Sequence, residues 1–150
     1  MKKQIIIWAL LLVTTISSGF AHTGGNVSDK VSEKFNKEFA DARDVQWEQG
    51  KNFYKATFSM NEQVMFAYYS TEGKLLALSR NITPAQLPIN LYSSVKKNYD
   101  NYWVSELFEI VINNETAYYI TVENSDQKVV LKSNGTSGWE MYKKEKKEAI

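Results

Sequence analysis

The residue types needed for the commonest kinds of catalysis are scarce in this chain of 150 residues. His22 is the single histidine, and the chain has no cysteine. A Ser-His-Asp triad or a histidine metal site needs a well-placed histidine, and a thiolate metal site or thiol nucleophile needs cysteine. Because His22 lies in a glycine-containing lead-in close to the start of the chain, we predict no catalytic residue of these kinds.

The carboxylates also give no clear acid–base pair. Glu106 and Glu109 lie three residues apart in a predicted strand, where an odd spacing sends them to opposite faces. Asp41 and Asp44 flank the end of a predicted helix, a position typical of capping or solvated groups. General acid–base catalysis needs carboxyl groups that converge on one substrate. We therefore expect no enzyme activity.

A ligand site for a metal or a phosphate is equally hard to assemble. Asn124 and Asp126 could supply oxygens to calcium, but the segment lacks the ligand density of a calcium loop. The few glycines mark turns and form no phosphate-binding loop. We expect no metal site and no cofactor.

Aromatic residues give the better functional lead. The adjacent pairs Tyr68-Tyr69 and Tyr118-Tyr119 lie in predicted strands, so each pair must place one ring on each face of a sheet. If helices cover one face only, some rings are left on the open face, and exposed Tyr and Trp are typical of protein-binding surfaces. The alternative is that these rings only complete an amphipathic sheet. The candidates for partner binding are Trp47, Tyr54, Tyr69, Trp103 and Tyr119.

Two helices must hold these strands in place. Two sets of apolar residues share the helical spacing i, i+4, i+8, which puts each set on one side of a helix. The first set is Val31, Phe35 and Phe39, and the second is Leu91, Val95 and Tyr99.

Alternation with period two, which is typical of strands, follows each predicted helix. In the first half it predicts a three-strand meander that begins near Tyr54 and ends at Leu78. In the second half it predicts strands over residues 106–112, 116–123 and 128–131, with a last edge strand at Trp139 and Tyr142. The passages at residues 42–47 and 100–103 are predicted to be irregular, and the charged run from residue 143 to 148 is predicted to be a frayed end.

The two halves follow the same order of elements. This predicts an α+β fold in which tandem αβββ-type repeats form one antiparallel sheet with helices on one face. We expect residues 22–150 to form a single domain, with half-repeats at about residues 28–80 and 88–142. The alternative to a true duplication is that any two αβββ segments look alike at this level.

The start of the chain has the three-part layout of a secretory signal peptide. Lys2 and Lys3 precede an apolar run over residues 5–13, and small residues lead to Ala21. We predict a signal peptide over residues 1–21, with cleavage between Ala21 and His22. The apolar run is short for a bilayer span, so a retained anchor is the weaker alternative and no stable membrane insertion is expected after cleavage. This predicts a periplasmic or secreted protein.

The net charge of the predicted mature chain does not favour nucleic-acid binding. Loss of the two signal-peptide lysines leaves 16 basic against 17 acidic residues, a formal charge of −1. Nucleic-acid binding usually requires a strong positive excess.

Several packing and turn segments resemble the PepSY-like family of exported bacterial proteins, which are also described as β-lactamase-inhibitor-like. The resemblance runs through residues 35–39, 42–47, 54–58 and 69–75 in the first half. In the second half it runs through Leu87-Pro88, Val95, Tyr99 and residues 117–122. It implies a tandem α+β fold, export from the cytoplasm and no enzymatic activity. It carries over no catalytic residues.

The hypothesis from the sequence is an exported, non-enzymatic binding module of the cell envelope. It would hold a protein or peptide, a hydrolase being one candidate, on the open face of the sheet. The alternative is a small-molecule or glycan-binding accessory protein, which exposed aromatic rings flanked by Asn and Asp would mark.

Overall fold

The computed structural model describes residues 27–147, in which eight strands form one antiparallel sheet. The strands follow one another across the sheet in chain order, so each pairs with its neighbours in sequence. The helices are α1 (Asp29–Glu38) and α2 (Ile89–Asn98), and the 3-10 turn Pro84–Gln86 leads into α2. The strands are β1 (Arg43–Gln49), β2 (Phe53–Met60), β3 (Gln63–Ser70), β4 (Leu75–Asn81), β5 (Trp103–Ile112), β6 (Glu115–Glu123), β7 (Gln127–Asn134) and β8 (Glu140–Lys146).

Helix α1 packs on the first strands through the predicted apolar stripe. Val31 and Phe35 are buried within α1, and Phe39 is buried at its C-terminal end. The Phe35 ring centroid lies 5.0 Å from that of Phe58 on β2 and 5.2 Å from that of Trp47 on β1, in edge-on arrangements that aromatic pairs favour. The stripe therefore forms the centre of one hydrophobic core.

Helix α2 does the same for the later strands. Leu91 and Val95 are its buried residues, and Val95 belongs to a cluster that includes Ile120 on β6 and Leu131 on β7. The indole Nε1 of Trp139 donates a 2.9 Å hydrogen bond to the carbonyl oxygen of Leu91, which ties the β7–β8 connection to the helix. Both predicted helices are confirmed.

The strand register puts both helices on the same face of the sheet. Ala67 under α1 pairs with Leu78, which in turn pairs with Val111 of β5. Alternation along β5 then sends Leu107 to this face, where it joins the α2 cluster. We call this side the helix-covered face and the other side the open face.

The predicted fold class is wrong. The described residues are 53% strand and 19% helix, so the protein is dominated by one eight-stranded antiparallel sheet with two short helices, and it is not an α+β fold of αβββ repeats. Four strands follow each helix, since β1 precedes the predicted meander and β8 forms a full edge strand.

The sequence pattern missed the edge strand β1, and it predicted the other edge strand, β8, without its lysine-rich half. In β1 the register shifts between Arg43 and Gln46, and Asp44 has a φ of 53°, so a bulge interrupts the alternation on which strand prediction depends. In β8 the lysine-rich run predicted to be frayed pairs with β7 as far as Lys146. Charged residues suit an edge strand because its outer side faces water.

The predicted signal peptide and its Ala21–His22 cleavage point lie outside the described residues. The bounds of the domain and of its half-repeats stay predictions. Neither helix within residues 27–147 is long and apolar enough to cross a bilayer.

Candidate functional site

The open face of the sheet has a buried apolar centre even though neither α1 nor α2 covers it. Ala77, Ile110, Tyr119 and Val130 form a cluster on β4, β5, β6 and β7, and we call these four residues the floor. Tyr119 is only 5% exposed and Ile110 only 6%. Side chains from neighbouring strands therefore pack together on this face and shield one another from solvent. Further members packed against the floor are Tyr68, Phe108, Ile112 and Ala117.

Contacts between aromatic rings hold the side chains of the floor in fixed positions. The rings of Phe108 and Tyr119, on adjacent strands, are stacked with centroids 5.1 Å apart and planes 12° apart. Tyr142 on β8 meets Tyr119 edge-on at 5.8 Å. Such pairs contribute about 0.5–1.5 kcal/mol beyond the area that they bury. A partner would therefore meet rings that are already held in place.

Two rings on this face are about half exposed to solvent. Trp103, at the start of β5, is 53% exposed, and Tyr142 is 49% exposed. We call them the exposed rings. Large flat side chains that are already fixed by neighbours lose little entropy when a partner covers them.

Three lysines lie over aromatic rings on the open face. The Nζ atom of Lys55 is 5.3 Å from the Phe66 centroid, and that of Lys132 is 5.7 Å from Tyr119. The Nζ of Lys147 is 4.6 Å from the centroid of Trp103. Each cation–π contact at a solvated site contributes about 0.5–1 kcal/mol.

Glu123 lies beside two lysines at the end of the open face that contains Trp103. Its carboxylate oxygens form ion pairs with the Nζ atoms of Lys147, at 2.9 Å, and of Lys128, at 3.7 Å. A hydrogen bond from Ser105 and the contact with Lys147 lower the pKa of Glu123, so the carboxylate is ionised at neutral pH. The ion pair also fixes Lys147 over the indole of Trp103.

The tyrosines on the floor stay protonated. Burial raises the pKa of Tyr119 to about 12, with a further contribution from the nearby Tyr142 hydroxyl. Burial likewise raises the pKa of Tyr68 to about 12, while a hydrogen bond with Ser79 opposes the change. Both hydroxyls are thus neutral hydrogen-bonding groups at physiological pH.

The structure divides the five predicted partner-binding residues between the faces. Trp47, Tyr54 and Tyr69 belong to the core beneath α1, and Tyr69 is fully buried with its hydroxyl donating to Glu38. These three rings lie on the helix-covered face and cannot meet a partner on the open face. Trp103 and Tyr119 do lie on the open face; their role in binding stays a prediction.

Sequence reasoning missed Tyr68, Phe108 and Tyr142 on the open face. Tyr68 could have been found, because once its neighbour Tyr69 is assigned to the core the strand period sends Tyr68 to the other side. Tyr142 could not, since a register shift in the β7–β8 pairing decides where its side chain points.

The carboxylates do not converge. Glu106 accepts a hydrogen bond from Thr121 on the open face, and Glu109 binds Arg80 on the helix-covered face, as their odd spacing predicts. Within the part of the chain that the structure describes, no group of three or more Asp, Glu or His residues could hold a metal ion.

Comparison with known proteins gives a fold. No protein-family model matches the chain, and no curated protein matches it either. Solved structures do. One is a BLIP-like protein from Bacteroides fragilis, with a TM-score of 0.69 and 20% identity over 79% of this chain and 85% of that one.

Two further structures agree. A DUF2874 family protein from Bacteroides ovatus has a TM-score of 0.72 and 20% identity, and covers 82% of this chain and 89% of its own. A protein from Bacteroides eggerthii, described as a candidate periplasmic protein, has a TM-score of 0.72 and 16% identity over 81% of this chain and 90% of its own. The chain therefore has the fold of these BLIP-like and DUF2874 proteins.

Proposed function

We propose that the protein is an exported, non-enzymatic binding module of the cell envelope that holds a protein or peptide against the open face of its sheet. The observation that carries the proposal is the pair of exposed rings on the open face, Trp103 and Tyr142, of which Tyr142 contacts the buried floor through Tyr119. We also propose that the protein is a member of the PepSY-like family and that its partner is a hydrolase.

The open face has the composition of an interface. Protein interfaces are enriched in Tyr, Trp and Phe, and a few such residues carry most of the binding energy. The floor is buried and apolar, and Lys132 lies over its Tyr119 ring, while Lys147 lies over Trp103 elsewhere on the same face. The similar BLIP-like protein and the candidate periplasmic protein are consistent with a binding role outside the cytoplasm.

Removing the exposed rings should test this function. We expect the double variant Trp103→Ala/Tyr142→Ala to lose at least about tenfold in affinity for a protein captured from periplasmic extract, since two hot-spot rings contribute about 1–2 kcal/mol each. The measurement is affinity by surface plasmon resonance with the captured protein after its identification. Circular dichroism should show an unchanged fold, because both rings are about half exposed.

Ile89→Ala is the matched control, because Ile89 is an exposed apolar residue on α2, away from the open face. Equal affinity of the double variant and the parent protein would contradict the proposal. If no protein is captured, and sugars quench a fluorescence signal that Trp103→Phe abolishes, the glycan-binding alternative is supported.

A further inference from the structure

We infer that the outer edge of β8 is a second interaction surface, which adds an extended acidic segment of a partner protein to the sheet as a ninth strand. This surface is separate from the open face, and the inference does not depend on the function proposed above.

The edge of β8 is available for pairing. β8 is the last strand of the sheet, and no strand within residues 27–147 pairs with its outer side. All seven of its residues are exposed. Along such an edge, alternate residues turn their N–H and C=O groups outward, where an extended peptide can take them as hydrogen-bond partners.

The charge on β8 specifies the partner. Lys144 pairs with Val129 and Lys146 pairs with Gln127, so both lysines lie on the flank of β8 toward the helix-covered face. Their spacing of two residues places them about 7 Å apart along the strand. An added strand with carboxylates on alternate residues would match this spacing.

These two lysines are the ones without a carboxylate partner in the strand. Lys143 pairs with Glu145, and Lys147 with Glu123. Among the described residues, no carboxylate oxygen lies within 4.0 Å of the Nζ atom of Lys144 or Lys146. Their charge is thus available to a partner.

The same lysines disfavour other occupants. A second copy of β8 added as an antiparallel strand would place its lysines against Lys144 and Lys146 on the same flank. Like charges on paired strands are destabilising, so this occupant is disfavoured. The opposite edge of the sheet, β1, is interrupted by its bulge at Asp44 and offers a less regular template. The β8 edge therefore selects an acidic strand from another protein.

A defined peptide tests this surface. The probe is a fluorescein-labelled octapeptide in which glutamate alternates with valine, and its control has glutamine in place of glutamate. We expect fluorescence anisotropy to show that the acidic peptide binds and that the glutamine peptide binds about tenfold more weakly, because it cannot form ion pairs with the two lysines. The variant Lys144→Gln/Lys146→Gln should lose the same tenfold.

Two controls separate strand addition from charge attraction alone. Lys37→Gln/Lys97→Gln removes the same charge from the two helices and should leave binding unchanged, since both lysines are exposed and neither lies on the β8 strand. Methylating alternate amide nitrogens of the acidic peptide should abolish binding in one register and spare it in the other. Equal binding of the acidic and glutamine peptides, or of both methylated registers, would overturn the inference, as would no binding of the acidic peptide.

Discussion

Neighbouring tyrosines in this protein have different roles because a strand sends them to different faces. Tyr69 is fully buried under α1 and donates a 2.8 Å hydrogen bond to Glu38, so it anchors the last turn of that helix. Tyr68, one residue earlier, lies on the open face and packs against the floor. Tyr118 and Tyr119 divide in the same way, with Tyr118 beside the α2 cluster and Tyr119 in the floor. The position of a tyrosine along its strand therefore decides whether its ring packs in the core or lies on the open face.

The buried Tyr119 should make stability depend on alkaline pH. Its pKa is about 12 in the folded protein against 10.0 for the free side chain, so the unfolded chain releases the proton first as pH rises. The stabilisation is full below about pH 10 and is lost progressively between pH 10 and 12. A two-unit difference corresponds to about 2–3 kcal/mol.

Urea unfolding at pH 8 and pH 11 would measure about half of this loss, because pH 11 lies midway between the two pKa values, and the loss should be smaller in Tyr119→Phe than in the parent protein. The same loss in both proteins would show that Tyr119 does not cause it.

At the scale of elements, regular strands follow their sequence pattern and bulged strands depart from it. β2 alternates in burial from Phe53 to Ser59, and Tyr54, Ala56 and Phe58 are all buried. β1 contains a non-glycine residue, Asp44, in the left-handed region, and its alternation is lost there. Asp tolerates this conformation better than most residues, while β-branched residues do not.

Substitutions at Asp44 should report the backbone strain directly. Asp44→Gly should leave the free energy of unfolding unchanged or raise it by up to about 1 kcal/mol, and Asp44→Val should lower it by about 1–2 kcal/mol. Chemical denaturation of both variants provides the measurement.

Gln46→Val is the control, because Gln46 is exposed at a regular position of the same strand, where valine should change stability by less than about 0.5 kcal/mol. Equal stabilities of Asp44→Gly and Asp44→Val would show that the bulge is not strained.

At the scale of the whole molecule, a short seam joins the part of the sheet under α1 to the part under α2. β4 and β5 pair over four residues, from Leu78 with Val111 to Asn81 with Phe108. Arg80 and Glu109 cross the seam with a 2.6 Å contact between Nε and Oε2, and Arg80 also donates a 2.8 Å bond to Gln63. The seam thus combines few backbone pairs with a partly buried ion pair.

Breaking this ion pair should destabilise the entire sheet. Arg80→Met leaves Glu109 partly buried without its cation, so we expect the free energy of unfolding to fall by about 1–3 kcal/mol. Because the sheet is continuous, the variant should still unfold in one transition, monitored by tryptophan fluorescence and by far-ultraviolet circular dichroism.

The double variant Arg80→Met/Glu109→Leu should recover part of the loss, since it removes both charges. Two separated transitions in the parent protein would contradict the expectation of one cooperative unit.

The sequence by itself determined both helices and the regular strands, because apolar periodicity of 3.6 or of two is a local property of the chain. It also determined that Glu106 and Glu109 would lie on opposite faces, and that each tyrosine pair would divide between the faces. It could not assign a given ring to the covered face, since that depends on which side receives the helices.

Only the tertiary structure decided the rest. The bulges in β1 and β8 come from pairing with neighbouring strands, so their register, the fold class and the position of Tyr142 were not predictable from local pattern. The floor unites residues from four strands between Ala77 and Val130, and the lysine run became an edge only when β8 paired with β7. These features depend on contacts between residues far apart in sequence, which a periodic pattern does not record.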